Sequence, residues 1–158
     1  MLNHPIPPVC DGNSRILILG SFPSVKSREQ GFFYGHPQNR FWRVLAAVFC
    51  DEVPMTVPER RAFLLRHGVA LWDVIAACEI EGSADASIRQ TAPNDLRPIL
   101  EGARIEAVFA NGQTAGKLYR RYDEPRLGIP ARVLPSTSPA NAAWSLDRLT
   151  EAWRIIKL

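Results

Sequence analysis

Apolar residues along the chain form short unbroken runs separated by stretches with helical spacing. The runs Arg15–Gly20, Val69–Ile75, Ile105–Ala110 and Ala131–Leu134 show no apolar/polar alternation. Such runs predict strands buried on both faces, as in a parallel sheet. Between them, Phe41, Trp42, Leu45 and Phe49 recur at helical spacing behind Pro37. Thr56-Val57-Pro58-Glu59 has the form of a capping box, predicting a helix through Arg66 that stops at Gly68. Asn94 and Asp95 can cap a short helix ending near Gly102, and a further helix is expected from about Thr114 to Tyr122. The chain closes with an apolar stripe of Leu146, Leu149, Trp153 and Ile156. Buried strands alternating with helices predict a layered α/β domain with a parallel sheet. In such a sheet the site lies outside the carboxyl ends of the strands. Those ends are Gly20–Ser24, Asp73 with its neighbours, Asn111-Gly112 and Pro135–Pro139.

At 158 residues the chain suits one domain, 1–158, with a real core. Apolar residues at 46% and charged residues at 22% exclude a disordered or fibrous chain. No apolar run is long enough to span a membrane, and the N-terminal MLNHPIPPVCDGN lacks a secretory pattern. Three cysteines without close spacing point to free thiols in a reducing, cytoplasmic setting. The net charge of +3 is unevenly spread: residues 1–50 and 101–158 each carry +3, and residues 51–100 carry −3. Sixteen of the 19 cations are Arg, the side chain best shaped for phosphate, although a GC-rich genome would give the same bias. No G-x-G-x-x-G, no G-x-x-x-x-G-K-[ST] and no G-x-S-x-G is present, and His4, His36 and His67 are scattered. No cofactor and no metal are therefore expected.

The segment GSFPSVKSREQGFFYGHPQNRFW, residues 20–42, resembles the first motif region of the uracil-DNA glycosylase superfamily without insertion or deletion. Leu134-Pro135-Ser136-Thr137-Ser138-Pro139-Ala140-Asn141 is similar to its second motif, and GVALWDVIAACEIEGSADASI resembles its hypoxanthine-DNA glycosylase branch. The resemblance implies a three-layer α/β/α fold around a short four-stranded parallel sheet. It also implies a monomeric, monofunctional repair enzyme that flips a deaminated base, most simply hypoxanthine, out of double- or single-stranded DNA. Uracil or a broader set of lesions, and a catalytically silent DNA-binding relative, are the alternatives.

One departure bears on mechanism. The mismatch-specific branch holds a catalytic Asn at the position of Phe22, and the main uracil branch an Asp; phenylalanine can do the work of neither. By resemblance to the hypoxanthine branch the catalytic residue is Asn39, although an Asn there can equally cap the following helix. The resemblance further implies a base pocket of Gly20, Ser21, Phe22, Tyr34 and Asp73, with the Tyr34 ring stacking on the base. Asp73 replaces an Asn that reads the uracil edge. It can accept from N1–H of hypoxanthine, or simply bond loop amides at a strand end. Ser24 and the loop Pro135, Ser136, Thr137, Ser138, Pro139, Ala140 and Asn141 correspond to the DNA-contacting wedge. Arg28, Arg40, Arg43 and Arg132 lie near these motifs and could add phosphate contacts. Leu134 stands where the main uracil branch has a His, and neither Lys26 nor Lys117 sits in an apolar run suited to a Schiff base.

Overall fold

The computed structural model describes residues 2–84 and 87–157, so Asp85 and Ala86 of the segment quoted above lie outside the described residues. Four strands, β2 (Ile16–Gly20), β3 (Val69–Asp73), β6 (Ala107–Asn111) and β7 (Ala131–Leu134), form a parallel sheet in the order β3-β2-β6-β7. Ile16 and Ile18 of the central strand pack into one apolar cluster, while Leu17 and Leu19 pack into the other. Burial on both faces explains why this strand lacks polar alternation. One face is covered by α2 (Phe41–Phe49), α3 (Val57–Arg66) and α7 (Leu146–Trp153), the last continued by a 3-10 turn at Arg154–Ile156. The other carries α4 (Arg97–Gly102) and α5 (Gln113–Tyr122). This is the three-layer α/β/α arrangement expected.

The sequence signals at helix ends are realised with two shifts. Thr56 Oγ1 accepts from Glu59 N at 3.2 Å, as a capping box requires, but the Glu59 carboxylate reaches back to Met55 N, one residue further than usual. Helix α2 begins at Phe41 rather than at Pro37, with Arg40 at the N-cap position. Of the two proposed caps for α4, Asp95 Oδ1 does accept from Arg97 N, whereas Asn94 is employed elsewhere.

The apolar run Val69–Ile75 does not form one strand. It leaves the parallel sheet after Asp73 and continues as β4 (Ile75–Glu79), which pairs antiparallel with β1 (Leu2–Asn3) and β5 (Arg89–Pro93) in a second sheet. Asn94 fixes the turn, because its Nδ2 donates to the carbonyls of both Asp73 and Ile75. The short helices α1 (Val25–Gln30) and α6 (Glu124–Leu127) also went unsignalled by periodicity.

Asp123, between α5 and α6, is buried, and its Oδ2 takes no hydrogen bond among the described residues. Burial pushes its carboxyl up to about 6, and Arg126, 3.5 Å from Oδ1, offsets this only in part. The fold thus favours the protonated acid, so the contribution of Asp123 to stability is greatest at pH below the ordinary carboxyl range. It falls as pH rises from about 4 to about 6, by up to ~3 kcal/mol. Asp123→Asn is expected to remove that slope and raise stability at pH 7.5 by about 1–3 kcal/mol. Urea titrations at pH 4.5 and pH 7.5 measure both, and an unaltered slope would contradict the assignment.

Candidate active site

All four strand ends open into one cleft of about 680 Å³. Register explains how its floor is made. Gly20 pairs with Asp73 across β2 and β3, so both point to the face that carries α2. A Cβ on Gly20 would overlap Asp73 Oδ1 and come within 3.1 Å of Tyr34 Oη. Glycine here makes room for a carboxylate and a phenol to converge over the strand end. Asn111 ends β6 on the same face, as Phe109 does two residues earlier.

Gly20, Ser21, Phe22, Ser24, Tyr34, Asn39, Asp73 and every residue from Pro135 to Asn141 line the cleft. Their bonding differs from residue to residue. Asn39 Oδ1 accepts from Phe41 N, the first amide of α2, at 2.9 Å, although Arg40 and not Asn39 holds the N-cap position. The same oxygen accepts from Thr137 Oγ1, also at 2.9 Å. Thr137 Oγ1 in turn accepts from Asn111 Nδ2 at 3.0 Å, and Asn111 Oδ1 accepts from Thr137 N at 3.1 Å. A backbone N–H can only donate, which fixes the Asn39 amide with its oxygen inward. Both lone pairs of that oxygen are then used, and the Nδ2 group is left for the cleft. Capping and a role in the cleft are thus compatible, because they use opposite ends of one amide.

Thr137 is fully buried, with its hydroxyl and both backbone groups engaged inside the protein, which leaves none for a phosphate. Arg40 is likewise turned to the loop and away from solvent phosphates. Its guanidinium donates to the carbonyls of Trp144, Ser138 (3.1 Å) and Asn141 (3.0 Å), and its backbone N donates to Thr137 O. One side chain beside Asn39 thus holds the Pro135–Asn141 loop through two acceptors and ties it to a third, Trp144, just beyond. The loop also braces itself, since Ser136 Oγ accepts from Ser138 N, Ser138 Oγ accepts from Ala140 N, and Asn141 Nδ2 donates to Ser136 O. Trp153 Nε1 donates to Pro135 O from α7. Ser24 Oγ caps α1 by accepting from Ser27 N. Arg28 lies over the Phe22 ring and donates to Pro23 O and Gly82 O.

Tyr34 has φ +51, uncommon for a bulky residue. Trp42 Nε1 donates to its carbonyl, and its ring stacks on Phe41 with centroids 4.0 Å apart. These contacts hold a conformation costing ~1–3 kcal/mol, the kind of local strain found where a side chain must face a ligand. Phe32 and Phe33 are buried in the core, as loop anchors would be, although Phe33 also touches the cleft. Asp73 Oδ2 pairs with His4 Nε2 at 2.7 Å. Sequence reasoning did not foresee His4. It also missed Trp144 and the Ser83–Ala84 turn, which add to the lining, with Arg148 stacked 4.2 Å over the Trp144 ring. An aromatic just beyond the second motif was the only signal for Trp144; Ser83 and Ala84 had none.

No group of metal-ligating side chains occurs among the described residues, and no lysine is among the cleft-lining residues. No helix there is long and apolar enough to cross a membrane.

The family model of the uracil DNA glycosylase superfamily matches residues 7–157. A protein of Methanosarcina acetivorans named hypoxanthine DNA glycosylase is 35% identical, covering 99% of this chain and 98% of its own. One of Methanosarcina barkeri with the same name is 34% identical, covering 97% and 96%. The solution NMR structure of a candidate uracil DNA glycosylase from Methanosarcina acetivorans superposes with a TM-score of 0.82 at 31% identity, over the whole of both chains. With its parallel sheet, its two motif loops and a match over almost its full length, the chain belongs to the uracil DNA glycosylase superfamily.

Proposed function

We propose that this glycosylase removes hypoxanthine from deoxyinosine in DNA and leaves an intact abasic strand. The observation that carries the reading is the convergence, in one cleft, of an aromatic face (Tyr34), a carboxylate (Asp73) and an amide donor (Asn39 Nδ2). The two near-full-length relatives named for hypoxanthine support it.

A base inside a duplex is out of reach, so the nucleotide must first be extruded into the cleft. Stacking on Tyr34 offsets part of that cost, by roughly 1–3 kcal/mol. Hypoxanthine carries N1–H beside O6, and a carboxylate oxygen of Asp73 accepts from that hydrogen. Adenine has only a lone pair at N1 and would set acceptor against acceptor. Bond cleavage leaves positive charge on the sugar and negative charge on the base, while a water adds at C1′. Asn39 cannot serve as the base for that water, since its oxygen already accepts two hydrogen bonds. Its Nδ2 group acts instead as a fixed donor to the electron-rich departing base. The stiff Pro135–Asn141 loop enters the DNA as the wedge, and Ser24 lines the same cleft. The first turn of α5, where Gln113 and Thr114 line the cleft, offers unpaired N–H groups to the backbone phosphates.

Duplex oligonucleotides with a single deoxyinosine, deoxyuridine or deoxyxanthosine test the reading. The inosine strand is expected to be cut fastest, and only after alkali. Faster cutting at uracil or xanthine would reassign the lesion, and scission without alkali would refute the monofunctional mechanism.

A further inference from the structure

His4 and Asp73 lie 69 residues apart in sequence, yet both side chains are almost wholly buried and bonded at 2.7 Å. The tautomer is fixed by a neighbour. Ile6 N donates to His4 Nδ1 at 3.2 Å, so Nδ1 is the lone-pair nitrogen and Nε2 carries the hydrogen given to Asp73 Oδ2. The imidazole is held edge-on by Phe22 and Trp72, at 5.8 and 6.2 Å between centroids. The segment bearing it is strapped across the strand ends: His4 N donates to Ala76 O, and Trp72 Nε1 donates to Ile6 O. With Oδ2 bound from behind, Oδ1 is the oxygen that lies over Gly20 on the cleft floor.

We infer that His4 is a positioning residue for base recognition. It fixes the Asp73 carboxylate in one rotamer by holding Oδ2 from behind, which leaves Oδ1 over Gly20 to meet the base. The inference rests on the reading of Asp73 given above, and it places recognition of the base partly in the N-terminal segment, outside both motif loops.

A double-mutant cycle under single-turnover conditions tests it. His4→Phe preserves the aromatic packing but removes the donor, and should lower the excision rate constant for deoxyinosine by roughly 10- to 100-fold. Binding of the intact duplex should change by less than about twofold, since the DNA backbone contacts remain. His4→Gln, with an amide donor near the Nε2 position, should recover to within about threefold of wild type. In an Asp73→Asn background, His4→Phe should cost less than about twofold, because the partner it acts through is gone. An equal loss in both backgrounds, or full activity of His4→Phe, would overturn the inference. If His4→Phe does not fold, His4→Asn, whose amide stops short of Asp73, completes the same cycle. A wild type active on uracil and not on hypoxanthine would defeat the proposed lesion alone. Uracil also carries a ring N–H beside a carbonyl, so the cycle run on deoxyuridine still decides the role of His4.

Discussion

Asn39→Ala lowers the single-turnover rate of base excision by about 10²- to 10³-fold, the range for loss of one fixed donor at a developing charge. The informative partner is Asn39→Asp. It keeps an oxygen where Phe41 N and Thr137 Oγ1 donate, at 2.9 Å each, so the start of α2 and the tie to the second motif survive. What it changes is the group facing the cleft, from an N–H donor to an oxygen that repels an electron-rich base. Asn39→Asp is therefore expected to be as inactive as Asn39→Ala while staying close to wild type in thermal stability. Substantial activity in Asn39→Asp would show that an acceptor toward water is what the reaction needs. The donor assignment would then fall. Comparing the two variants separates the cap from the chemistry, which Asn39→Ala by itself cannot do.

Arg40→Ala carries the second large effect. Three carbonyls, those of Trp144, Ser138 and Asn141, depend on this guanidinium. Removing it leaves half-buried acceptors to water and frees the Pro135–Asn141 loop, at ~3 kcal/mol of stability, or a fall in Tm of roughly 5–10 °C. Excision should drop by about 100-fold or more, since loop and amide network are displaced together. Arg40→Lys should recover little, because one ammonium cannot span three acceptors fixed in different directions. A near-normal Tm and rate in Arg40→Ala would show that the loop holds its shape without it. The same residue looked, in sequence, like a candidate phosphate ligand. Its place next to the helix start gives it loop carbonyls instead.

Much of the architecture was legible because it depends on local composition. Four apolar runs without alternation gave four parallel strands, of which β2, β3 and β6 are buried and the edge strand β7 exposes Arg132 and Val133. Placement at their carboxyl ends located Gly20–Ser24, Asp73, Asn111 and Pro135–Pro139 in the cleft. The break after Asp73 was not legible, since Val74 and Ile75 prolong an apolar run and the signal for the turn is Asn94, about twenty residues on. The second sheet was hidden for a related reason. Ile75–Glu79 and Arg89–Pro93 lack clean alternation, and their bulged pairing keeps no strict period of two. At the site, motif resemblance identified Asn39 but said nothing of which end of its amide faces the cleft. That follows from a backbone N–H and a threonine 98 residues away. His4 gave no signal at all: a histidine in a proline-rich leader has no pattern that points to a strand end.

The same long separations set the order in which the site can come into being. Its parts run from His4 to Trp144, and its closing contacts join residues 69, 98 and 104 positions apart. Contacts of that span form late, because each closes a large loop before it gains anything. A chain still emerging from synthesis can build β2, α2 and β3 but lacks the loop that Arg40 must grasp. The site is therefore complete only once the chain as far as Trp144 has been made.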